Sequence, residues 1–127
     1  MAGKRTRVGA VQLRILRVLW EQERATARQI TEELARGKPA AHSTVQTLLR
    51  KLEAKGAVGH HVEDRTFVFY ARVTEEEVTR GAARELIGRL FDGQAAGLVA
   101  YLLRNESISP EELRELRRLI DRKEGEP

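Results

Sequence analysis

The chain contains no cysteine, which removes disulfides, thiolate metal sites and cysteine nucleophiles together. The same absence fits a reducing compartment. Aromatic residues are scarce, at 5% of the chain, so any core must be built mainly from Leu, Val, Ile and Ala. No apolar run approaches the roughly 20 residues that a membrane helix needs. The start, M-A-G-K-R-T-R-V-G-A, is basic, but Gln12, Arg14 and Arg17 interrupt the segment behind it, so it does not read as a signal peptide. A soluble, cytoplasmic protein with no membrane partner is the expectation. Also missing are a nucleophile–base constellation and a Gly-rich phosphate loop. The three histidines, His42, His60 and His61, are scattered, and the last two point to opposite faces of any strand that holds them. Neither an enzyme nor a metal or other cofactor is expected.

What is present is charge, and it is unevenly placed. Residues 1–73 hold fourteen Lys/Arg against seven Asp/Glu, whereas residues 74–127 hold nine against twelve. A basic half joined to a mildly acidic half suggests a module that binds a polyanion and a second module with another task. Only five of the 23 cations are Lys, and the Arg excess suits bidentate phosphate contacts.

The chain centres on Ala41 to Gly56, A-H-S-T-V-Q-T-L-L-R-K-L-E-A-K-G. Val45, Leu48, Leu49 and Leu52 fall at i, i+3, i+4 and i+7, one apolar stripe of a helix. The opposite face carries Ser43, Thr44, Gln46, Thr47, Arg50 and Lys51. Short hydrogen-bonding groups backed by cations suit the major groove of DNA, although an ordinary amphipathic helix with a solvated face has the same pattern.

The surroundings decide between the two. Residues 1–8 read as a flexible basic tail. A first helix spans Val11 to Glu21, with Leu13, Leu16, Leu19 and Trp20 on its buried face and Ile15 near the edge. Thr26 and Gln29 have the spacing of a capping box, so a second helix should begin at Ala27. Its stripe is Ala27, Ile30 and Leu34, and Gly37 and Pro39 end it. Residues 57–62 and 66–71 are rich in β-branched and aromatic residues and flank a polar link, Glu63-Asp64-Arg65, so a β-hairpin is expected with Arg65 at its tip. A helix-turn-helix followed at once by a hairpin is a winged helix, here residues 9–73.

Residues 74–127 read as three helices. Thr74 with Glu77 forms a second capping box, and Ser109-Pro110 with Glu112 marks a third helix start. Leu86, Leu90, Phe91, Leu98, Leu102, Leu103, Leu116 and Ile120 are more apolar groups than about 50 residues of short helix can hide. The expectation is a homodimerisation domain. The fold class is thus mainly α with a small β-hairpin, a winged helix-turn-helix followed by a three-helix dimerisation tail. Thr26, Arg28 and Ser43 at helix starts should bind phosphate, as should His42. Thr44, Gln46, Thr47 and Arg50 should reach base edges, and Lys51, Lys55 and Arg65 should add nonspecific affinity.

The segments L-R-I-L-R-V-L-W-E, A-T-A-R-Q-I-T-E-E-L, H-S-T-V-Q-T-L-L-R-K-L-E-A-K-G-A-V and R-T-F-V-F-Y resemble the penicillinase-repressor (BlaI/MecI-type) family of winged-helix regulators. The likeness is strong through residues 13–70 and looser in the last third. It implies a homodimeric transcriptional repressor on a palindromic operator in double-stranded DNA. It also implies operator contacts from Ser43, Thr44 and Thr47. Typical members are inactivated by proteolysis between an Asn and a Phe, where this chain has Tyr101 and Leu102. Copper-responsive relatives carry a cysteine cluster that this chain lacks. The inducing signal and any regulatory protease are therefore left open. Two other classes stand beside this reading: a winged helix used as a protein-interaction module, and a small-molecule-responsive regulator of the MarR type.

Overall fold

The computed structural model describes the backbone of residues 2–127 and the side chains from Lys4 onward. Two compact units make up the chain, one reaching to Glu85 and the other running from Leu86 to Pro127.

Local capping sets the first unit's frame. The Thr26 hydroxyl accepts from the Gln29 amide at 3.1 Å, and the Gln29 side chain accepts from the Thr26 amide at 2.8 Å. This reciprocal pair starts α3 (Ala27–Leu34) where the sequence marks it. Before it runs α2 (Ala10–Gln22), and after an exposed turn comes α4 (His42–Ala54). Val45, Leu49 and Leu52 of α4 are fully buried against Ile15, Leu16 and Leu19 of α2 and Ile30 of α3. Each such side chain contributes about 1.5–3 kcal/mol of hydrophobic stabilisation.

The buried face of α2 differs from the expected one. Ile15, Leu16, Val18 and Leu19 are buried, while Leu13 and Trp20 stay half-buried. Trp20 carries a polar N–H that needs a partner. It sits at the edge of the core, where the indole donates to the Val73 carbonyl at 2.8 Å. The compact, β-branched Ile15 and Val18 take the interior instead.

Gly56, in the left-handed region at φ 82°, turns the chain out of α4. The hairpin follows as β2 (Val58–Glu63) and β3 (Thr66–Ala71), paired antiparallel with Val58 opposite Ala71 and Glu63 opposite Thr66. Its loop is two residues, Asp64 and Arg65, with φ 49° and 65°. Both are left-handed, the geometry of a type I′ turn. A third strand, absent from the sequence reading, is β1 (Ala25–Thr26). It pairs with the far side of β3, Ala25 opposite Phe69 and Thr26 opposite Val68, giving the sheet order β1-β3-β2.

The N-terminal segment also departs from expectation. Residues 2–6, read as a flexible tail, form α1 (Ala2–Thr6), and Thr6 is buried. Arg5 donates to the carbonyls of Gly56 at 3.3 Å and Arg72 at 2.7 Å. A Cβ on Gly81 would come within 2.6 Å of the Thr6 hydroxyl oxygen, so α1 nests on a helix with no side chain there. That helix is α5 (Glu75–Leu90), begun by the Thr74–Glu77 capping box at 2.9 and 3.0 Å. Val73 and Val78 join the core of the first unit, so the compact units divide inside α5 rather than at residue 74.

The second unit holds the end of α5, α6 (Ala95–Asn105) and α7 (Pro110–Glu124). Asp92, left-handed at φ 51°, and Gly93, whose amide donates to the Ile87 carbonyl at 3.0 Å, terminate α5. Ser109 caps α7, accepting from the Glu112 amide at 3.1 Å with Pro110 in the first turn. Phe91 and Tyr101 lie 6.4 Å apart between ring centroids. No residue of this unit is buried. Among the described residues, no single helix is long and apolar enough to cross a membrane.

Candidate nucleic-acid interface

A groove of about 590 Å³ opens between the start of α3, the outer face of α4 and the hairpin tip. It collects Thr26, Arg28, His42, Gln46, Arg50 and Arg65 from three separate parts of the sequence. Strand β1 explains why they meet. By pairing with β3 it ties the residue that caps α3 to the strand that carries the wing.

The cations of the groove are unneutralised. Among the described residues, Arg28, Arg50, Arg65 and the nearby Lys51 make no ion pair, and Arg50 has only a 3.4 Å hydrogen bond to the Thr47 hydroxyl. Two nearby carboxylates are occupied elsewhere, and Asp64 at the hairpin tip is exposed. Glu63 pairs with both Arg24 and His61 at 2.5 Å, and Glu53 with His60 at 2.6 Å. The hydrogen bond with His61, backed by the charge of Arg24, holds the Glu63 carboxyl below the usual carboxylate range. Positive potential therefore faces the groove.

Helix α4 presents a bare N-terminus. Its N-cap, Ala41, has no side chain to bond the first amides. Those N–H groups stay open to an external acceptor, with the helix dipole favouring an anion. His42 is exposed there, its Nδ1 3.1 Å from the Thr31 hydroxyl oxygen. Ser43, Thr44 and Gln46 are exposed, and among the described residues their side chains bond to nothing in the protein. Ser43, Thr44, Thr47 and Lys51 stand on the exposed surface of α4 without lining the groove.

Lys55 lies apart from these. It is half-buried at the far end of α4, where its ammonium donates to the Arg7 carbonyl and lies 3.5 Å from the Gln12 side-chain oxygen. Partial burial, then the charge of Arg7, pulls its pKa below the usual lysine value. The wing tip carries strain, since Arg65 occupies a backbone conformation that costs a side-chain-bearing residue on the order of 1 kcal/mol.

Two aromatic residues of the groove, Phe67 and Phe69, carry no signal of a site in the sequence. They were absorbed into a strand pattern that predicts an aromatic strand but not which ring stays outside. Phe69 is buried and Phe67 is 50% exposed. The histidines are dispersed: His60 stacks on Phe67, His61 lies beside Tyr70 and His42 meets Thr31. Among the described residues no three His, Cys, Asp or Glu side chains gather in a group able to hold a metal.

The chain is similar to known proteins. A family model described as penicillinase repressor matches residues 8–122. The penicillinase repressor of Bacillus licheniformis is 26% identical over 114 residues, covering 90% of this chain and 89% of that protein. The methicillin resistance regulatory protein MecI of Staphylococcus aureus is 24% identical over 123 residues, 97% of this chain and all of that one. Among solved structures, the DNA binding domain of the repressor BlaI in solution superposes with a TM-score of 0.51 at 28% identity, over 56% of this chain and 87% of that one.

Proposed function

The chain belongs to the penicillinase repressor family, and from that premise we propose that two copies bind one palindromic operator and block transcription from it. The chain is a DNA-binding transcriptional repressor and not an enzyme. The observation that supports DNA contact by this face is the groove in which Arg28, Arg50 and Arg65 face outward without a carboxylate partner among the described residues.

In this reading α4 enters the major groove. Amides at the starts of α3 and α4, with Thr26, Arg28, His42 and Ser43, hold phosphates and fix the register. Thr44, Gln46, Thr47 and Arg50 meet base edges, where Gln pairs bidentately with adenine and Arg with guanine, each good pair discriminating by about 1–3 kcal/mol. Arg65 on the wing grips the backbone beside them, and Lys51 adds nonspecific attraction.

Dimerisation is supported by the tail. Leu86, Leu90, Leu102, Leu103 and Ile120 are exposed, and Phe91, Leu98 and Leu116 only half-buried, in a unit with no buried residue of its own. Helices with this much bare apolar surface need a second copy to cover it. We place the working protein in the cytoplasm, with double-stranded DNA, and assign residues 74–127 to dimerisation. The pair Tyr101–Leu102 stands where the resemblance to the family places its Asn–Phe cleavage site, and the releasing signal is left open.

The experiment is footprinting of the purified protein on the promoter of its own gene, with a salt titration. A protected site with two-fold symmetry, its halves about one helical turn or a multiple of that apart, is expected. Equal affinity for promoter and random DNA would overturn the proposal.

A further inference from the structure

Phe67 is an exposed aromatic ring that the protein holds still. The His60 ring lies parallel against it, 4.0 Å between centroids at an interplanar angle of 13°. His60 is itself fixed by Glu53 at the end of α4, Nδ1 to Oε2 at 2.6 Å. Phe69 braces the same ring edge-on at 6.2 Å. Yet half of Phe67 remains uncovered, on the groove that also contains Gln46, Arg50 and Arg65. A solvated strand residue needs no such bracing, whereas a ring immobilised beforehand loses little side-chain entropy when something binds it.

The charge around Phe67 identifies the occupant as a polyanion, because the cations of this groove have no carboxylate partner among the described residues. Phosphate offers nothing to a phenyl ring. The apolar group that a DNA duplex displays in its major groove is the C5-methyl of thymine, and Phe is among the side chains that contact it. From these observations we infer that Phe67 reads thymine: its ring takes the C5-methyl of one thymine in each half-site, next to the base pairs met by Gln46 and Arg50. The wing then contributes to sequence choice as well as backbone grip. This inference rests on the operator-binding reading above.

The two can be tested separately. The full-length wild-type protein is used to select a duplex from a random-sequence pool, and each thymine of that duplex is replaced in turn by deoxyuridine, which removes only the methyl. One position per half-site is expected to weaken binding about four-fold, the value of one buried methyl group. Phe67→Ala should bind the thymine and deoxyuridine duplexes equally. Independently of any variant, 5-iododeoxyuridine at the sensitive position should photocrosslink the wild-type protein at Phe67, mapped by mass spectrometry. A flat deoxyuridine scan on a selected duplex overturns the thymine assignment while leaving sequence-specific binding intact. So does a Phe67→Ala protein that keeps the methyl sensitivity while losing affinity for the thymine and deoxyuridine duplexes by the same factor, which would place the ring on deoxyribose. Failure to select any sequence overturns operator binding itself, and the inference with it.

Discussion

Arg5 and Arg72 are joined across 67 residues of chain, the Arg5 guanidinium donating to the Arg72 carbonyl at 2.7 Å. A second bond from the same side chain reaches the carbonyl of Gly56, where α4 turns into the hairpin. Arg7 adds an ion pair to Glu85 at 3.1 Å, and its carbonyl accepts from Lys55. The N-terminal segment thus pins the exit of α4, the exit of β3 and a side of α5. Arg5→Ala should lower stability by about 1 kcal/mol, the net worth of hydrogen bonds from a charged group to partly exposed carbonyls. The urea midpoint should fall with an unchanged m-value, and the preference for operator over random DNA should persist. An unaltered midpoint would mean that α1 adds nothing to the fold.

Arg65 opposes stability to function. Its left-handed backbone suits glycine, so Arg65→Gly should relieve strain and raise the melting temperature slightly. The same change should weaken binding to every DNA sequence and reduce the salt slope by about one phosphate contact. Gln46→Ala should instead relax preference at one or two base pairs and leave the salt slope alone. Fluorescence anisotropy on operator and random duplexes across a salt series separates these outcomes. Equal losses in both variants on both duplexes would contradict the division of labour.

The tail prediction concerns assembly. Ile120 is 54% exposed on α7 and Leu103 49% exposed on α6. A charge at either position costs nothing in an isolated chain but is buried unpaired in a dimer. If the proposed dimer forms, Ile120→Glu and Leu103→Glu should sediment as folded monomers at concentrations where the wild type sediments as two copies. Their operator affinity should drop at least ten-fold, because two half-sites no longer act through one tether.

Acid should weaken the fold through two glutamates. Glu63 is held below the ordinary carboxylate range by its hydrogen bond with His61 and then by Arg24, and Glu77 by the backbone and hydroxyl of Thr74. A carboxyl depressed in the folded state binds its proton more readily when unfolded. Its contribution is therefore complete above the unfolded value of about 4.3 and is lost as pH falls below it. Glu63→Gln should be less stable than wild type at pH 7, and the two curves should converge as the pH falls below the ordinary carboxylate range. Urea midpoints across that range give the comparison.

Local chemistry was legible in the sequence and long-range pairing was not. The capping boxes at Thr26–Gln29 and Thr74–Glu77 and the cap at Ser109 each act over three residues, so spacing alone reveals them. The stripe of α4 was equally plain, because Val45, Leu49 and Leu52 face one core. Strand β1 could not be read, since Ala25 and Thr26 become a strand only by meeting Phe69 and Val68 more than forty residues later. For the same reason α1 reads as a tail in the sequence: it has no apolar stripe and is held by carbonyls distant in sequence. In the groove, the polar and charged members were visible as the outer face of a helix and the tip of a hairpin. Phe67 was hidden because alternation assigns a ring to one side of a sheet without saying whether that side is covered.

The outer face of α4 is mechanically idle, and that has an evolutionary consequence. Ser43, Thr44 and Gln46 support no neighbour, while Val45, Leu49 and Leu52 behind them carry the packing. Substitutions on the outer face leave the fold's stability nearly untouched. On the proposed operator-binding reading, a duplicated gene can therefore drift to a new operator through a few surface changes, and the two descendants become insulated from each other's promoters without passing through an unfolded ancestor.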